Sequence, residues 1–107
     1  MPHRAESLVS EEPTQQPTGH GPFYTARRTP DTDPPRWTVY RDDEFTPVGY
    51  LEAVYDPQER AWGLVVTDGN QRLIGVHGKR DNPDVPPYVD SYHNALAWIM
   101  WREQGIA

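Results

Sequence analysis

A single helical period, within residues 90–105, closes a chain whose other ordered runs alternate in twos. That imbalance constrains the fold more than any other feature. Apolar residues at every second position make strands with one greasy face each, and such a face must be covered by another layer. The strand-forming runs are 37–40 within PPRWTVYR, VGYLEAVYD at 48–56, AWGLVVTD at 61–68 and RLIGVHG at 72–78. RDDEFTP, DPQER and DGNQ separate them, and the Asp-Gly of the last is the strongest short hairpin signal in the chain. Short links make consecutive strands antiparallel neighbours. The expectation is an α+β domain over 35–107, with a four-stranded antiparallel meander covered on one face by the C-terminal helix.

On that helix, Tyr92, Ala95, Leu96, Ile99 and Met100 fall on one stripe. Trp98 borders the stripe, and Trp101 lies about 180° from Tyr92 at about 100° per residue. Ser91 (or Asp90) supplies an N-cap oxygen, Gly105 sits where the C-cap belongs, and Arg102 suits the dipole at the last turn. Between Gly78 and the helix, KRDNPDVPPYVD is too rich in Pro and Asp to be either element, and reads as a crossover.

The first 35 residues hold seven of the 12 prolines and few aliphatic side chains. Such a stretch buries too little to offset about 1–2 kcal/mol per residue of backbone ordering, so residues 1–34 are expected to form a disordered arm. Within it GPFYTARR (21–28) sets Phe23 and Tyr24 beside Arg27 and Arg28, either as a short linear docking motif or as a segment lying loosely on the domain.

One helix covers one face of a sheet. Alternation puts Val48, Tyr50 and Val54 on the other face with Glu52, exposing roughly a few hundred Å² of mixed surface. Self-association or a protein partner is the favoured use of that surface, unless the arm or arginine stems cover it. The leftover indole of Trp101, with Trp98 beside it, offers a second docking surface. The chain carries a net charge of −6, divided as −2 over 1–35 and −4 over 36–107, so no basic tail is available to hold phosphates. The runner-up function is nucleic-acid binding through the sheet and HGKR, by His77, Lys79, Arg80 and Arg72.

Catalytic chemistry finds little support. Cysteine is absent, which excludes disulfides, thiolate metal sites and thiol nucleophiles. His3 and His20 lie in the arm, His77 and His93 have no second histidine at metal-ligand spacing, Ser91 is explained as a cap, and the glycines at 63, 69, 75 and 78 do not open a helix. The expectation is a non-enzymatic protein without metal or cofactor. The longest apolar run, ALAWIMW, has seven residues, against about 20 for a membrane span. The N-terminus lacks the apolar stretch of a leader, so a cytoplasmic location and no membrane partner are expected.

The order W-x-V…V-G-x-L…W…D-G-x-x-R-L-I-G…S-x-x-x-A-L is carried here by Trp37, Val39, Val48, Gly49, Trp62, Asp68, Gly69, Leu73, Gly75, Ser91 and Ala95. Over residues 36–104 it resembles small domains of unknown function, among them the YegP-like repeats. That resemblance implies the same strands-then-helix fold and a tendency to pair, and it implies no catalytic residue. The sequence therefore reads as a small interaction, regulatory or accessory module, and a homodimer is one form its association takes.

Overall fold

A computed structural model describes residues 2–15, 18–42, 45–74 and 84–105. Its centre is a five-stranded antiparallel sheet in simple sequence order, curled into half a barrel. The strands are β1 (Thr14–Gln15), β2 (Phe23–Thr29), β3 (Arg36–Arg41), β4 (Pro47–Asp56) and β5 (Ala61–Asp68), and α1 (Tyr92–Glu103) follows. A 3-10 helix, Pro2–Leu8, precedes them. β3, β4, β5 and α1 stand where the alternating and helical patterns place them.

Several expectations need correction. The sheet has five strands, not four, and β2 comes from the segment read as a disordered arm. The segment 21–28, read either as a docking motif or as lying loosely on the domain, instead supplies most of that strand: Tyr24 is fully buried, and its neighbours pair with β3 from Tyr24↔Arg41 to Thr29↔Arg36. Prolines mark the flanks of β2, while FYTARRT itself is a run of strand formers with alternating burial. Of the predicted strand 72–78, the described residues form an isolated bridge and no strand. Asp68 N–H donates to Arg72 C=O (2.8 Å) and Ile74 N–H to Val66 C=O (3.0 Å), bridging Thr67 and Leu73; residues 75–78 lie outside the described residues.

The inner face of the curl carries Tyr24, Ala26, Trp37, Val39, Leu51, Ala53, Leu64 and Val66, all nearly inaccessible. Both chain ends cover it. Ala95, Leu96, Ile99 and Met100 of α1 join one end of this core, and the 3-10 helix adds Ala5 and, just beyond it, Val9. Two arginines on the same inner face tie the covers down. Arg28 stacks over Trp37 (5.8 Å to the ring centre) and grips Glu6 through two N–H donors, each 2.9 Å from a carboxylate oxygen. Arg41 donates to both carboxylate oxygens of Glu103 at 3.1 Å, and the Tyr24 hydroxyl donates to the same group at 3.1 Å.

Helix α1 is capped as its sequence requires. Ser91 Oγ accepts from Asn94 N–H (3.3 Å), and Gly105, at φ +80°, closes the last turn by donating to Arg102 C=O (3.1 Å). The segment before it straps the outer edge of β5. Leu64 and Val89 exchange backbone hydrogen bonds at 2.9 and 2.8 Å, and the buried Tyr88 hydroxyl donates to Asp56 at 2.7 Å. Tyr88 lies so close over Gly63 that a Cβ there would stand 2.2 Å from its ring and 2.8 Å from Val89 C=O.

Substituting Gly63→Val should therefore expel Tyr88 and cost about 1–3 kcal/mol, read from the urea midpoint. A second prediction concerns alkaline pH. Burial, reinforced by the charge of Glu103 and the hydrogen bond to it, raises the Tyr24 pKa from 10.0 to about 12. The folded state thus holds its proton more tightly than the unfolded one. The resulting stability is complete below pH 10.0 and is lost as pH rises through about 12. Unfolding free energy measured across that window should slope downwards, and Tyr24→Phe should flatten the slope.

Candidate interaction site

The exposed side of α1 follows directly from its period. With Ala95, Leu96, Ile99 and Met100 buried, Trp101 points outward and remains 44% exposed. Trp98 is half buried against the core and meets Trp101 edge to face, with ring centres 5.3 Å apart at 79°. Such T-shaped contacts add about 0.5–1.5 kcal/mol beyond burial, so Trp98 holds the outer indole in a fixed pose.

Beside Trp101 lies a cleft of about 600 Å³ between α1 and the start of the sheet. Leu96, Ala97 and Met100 form its apolar floor, while Thr14, Gln15 and Thr18 form the opposite wall. His93, Asn94 and Gln104 lie on the rim, and among the described residues lining the cleft there is no carboxylate, lysine or arginine. This volume falls in the range of small-ligand and side-chain pockets, about 300–1,000 Å³, which are mostly apolar with a few placed polar groups.

The remaining candidates are scattered. Tyr50, Val48 and Val54 project from β4 on the alternate positions to Leu51 and Ala53, so they share no face with Trp98 and Trp101. All three are half buried, and Val48 packs partly against the core. The Arg36 guanidinium lies 5.9 Å from the centre of the Tyr50 ring and 3.5 Å from the Glu52 carboxylate. Thr29 and Thr38 share a hydroxyl hydrogen bond of 3.1 Å, and Arg27 is exposed on that side. The outer face is consequently a mosaic, in which Thr and Arg from β2 and β3 alternate with Phe23, 46% exposed, and Tyr40.

His77, Lys79 and Arg80 lie outside the described residues, and Arg72 is exposed beyond the β5 turn. Asp68 and His93 form no joint site. His93 is exposed. Asp68 instead organises its turn: Oδ1 accepts from Asn70 and Arg72 N–H, each at 2.9 Å, and Oδ2 meets Arg102 at 3.1 Å. Burial alone would raise the Asp68 pKa, but those backbone hydrogen bonds and Arg102 outweigh it and hold the carboxyl below its ordinary value. Among the described residues no three His, Cys, Asp or Glu side chains form a metal-binding group. No helix among them is long and apolar enough to cross a membrane.

Sequence reasoning missed the cleft wall. Thr14, Gln15 and Thr18 fall in the stretch set aside as an arm, and only the strand character of FYTARRT next to them signalled that this region joins the sheet. No family model matches this chain, and no curated protein or solved structure matches it either.

The contrast between the two sides of α1 is testable by denaturation. Trp101→Ser should cost about 0.5–1.5 kcal/mol, chiefly the lost edge-to-face contact with Trp98. Ile99→Ala should cost about 2–5 kcal/mol, since Ile99 is fully buried against Gly49.

Proposed function

We propose that this chain is a non-enzymatic protein-binding module that holds its partner in the cleft beneath Trp101. One observation carries the reading: an uncharged cleft of about 600 Å³ with a 44% exposed indole at its lip. Interface hot spots are enriched in tryptophan and lie over well-formed, desolvated pockets. Trp101 arrives there already oriented by Trp98, so little side-chain entropy is lost on docking. The YegP-like resemblance, with its tendency to pair, agrees with association but names no surface.

The outer sheet face supports the reading less well than α1 does. Arg36 already occupies the Tyr50 ring, and threonines dilute the apolar positions around it. Peptide selection decides the matter. A random library of displayed decapeptides should enrich binders against the intact protein, and synthetic copies should lose at least about thirtyfold in affinity on Trp101→Ser. Binders whose affinity ignores that change, or no enrichment, would refute the site.

A further inference from the structure

The cleft has a second property besides its apolar floor: it lies at the open edge of the sheet. At the opposite edge, β5 is already engaged. Leu64 exchanges hydrogen bonds with Val89, and Val66 and Asp68 bond to Ile74 and Arg72. β1 begins the strand order, so its far edge meets no strand among the described residues. Thr14 and Gln15, which make up β1, are also the wall of the cleft, facing Leu96 and Met100 of α1.

An open strand edge presents unpaired backbone donors and acceptors, and proteins commonly guard it by keeping it short or with proline or charged side chains. Here the edge is two residues long and follows Pro13, but an apolar trough lies beside it, and none of the described side chains lining that trough is charged. From this juxtaposition we infer that the cleft takes an extended peptide segment of a partner protein. The segment adds as a strand beside β1 and sends alternate apolar side chains towards Leu96, Met100 and Trp101. This refinement rests on the protein-binding reading above.

Three features define the occupant. A strand has period two, so only every second side chain enters the trough while the others face away. Size argues for a peptide over a second folded copy. Ten of the described residues line the cleft, whereas a stable dimer engages about 20–30 residues on each side. Charge sets the flanks. Exposed Glu11 and Glu12 stand just before the β1 wall, exposed Asp90 lies near the start of α1, and the chain carries −6. A second copy would set −6 against −6, whereas a segment with Lys or Arg beside its apolar positions complements the rim.

The test uses the full chain and the decapeptides that selection enriches. Their apolar residues should recur at i, i+2 and i+4 with Lys or Arg alongside. On binding, amide hydrogen exchange at Thr14 and Gln15 should slow at least tenfold. Apolar spacing of i, i+3 and i+4, or binding that leaves β1 exchange unchanged, overturns strand addition while sparing the cleft as a binding site. Neutral flanks that enrich equally well overturn the basic preference. A selection that yields no binder at all defeats the protein-binding reading itself.

Discussion

The structure depends on covering the inner side of a curled sheet with the two ends of its own chain. Trp37, Tyr24 and Leu51 are fully buried there, yet neither terminal segment is long enough to enclose them alone. The 3-10 helix packs against β4 and β5, while α1 covers another part of the same strands. Apolar burial, worth about 25 cal/mol per Å², supplies the drive, and two arginines supply the alignment. Arg28 and Arg41 point into the curl from adjacent strands, and each clasps a carboxylate from one terminus. Exposed ion pairs contribute little, but these two are partly shielded and hydrogen-bonded at more than one atom. Their role is to fix where each cover sits.

Seen from the strands, the same arginines explain the polarity of the molecule. β2 and β3 contain four arginines and no carboxylate. Alternation sends Arg28 and Arg41 inward to Glu6 and Glu103, and leaves Arg27 and Arg36 on the outer face. An outer surface built this way is partly served by its own hydrogen bonds and by the Arg36–Glu52 pair, which interleave its apolar side chains with polar ones. The cleft at α1 is the reverse, with apolar floor, uncharged rim and a rigid aromatic lip.

How much of this was legible in the sequence follows from which signals are local. β3, β4, β5 and α1 were legible because alternation, turn residues and caps lie within each segment. The Ser91 cap and the Asp68 turn behave as their residue types dictate. β2 was hidden by its neighbours: prolines on both sides gave the region a disordered composition, although FYTARRT alone has strand character. What admits it to the sheet is the long-range pairing of Thr25 with Tyr40 and Ala26 with Val39, which no window of sequence displays. The outward turn of Trp101 was readable from the helical period. The cleft was not, since its wall and floor come from residues about eighty positions apart.

That wide separation has a thermodynamic corollary. One side of the cleft belongs to β1 and the residues just after it and the other to α1, so whatever lodges there rivets these two segments together. Occupancy and integrity are then one linked equilibrium: a resident at a hundred times its dissociation constant adds about 2.7 kcal/mol to the folded state. Conversely, loosening the Glu6–Arg28 or Glu103–Arg41 clasp, remote from the cleft itself, diminishes the fraction of molecules with both jaws in place. A fold closed by its own extremities makes its grip on others a gauge of how well it holds itself.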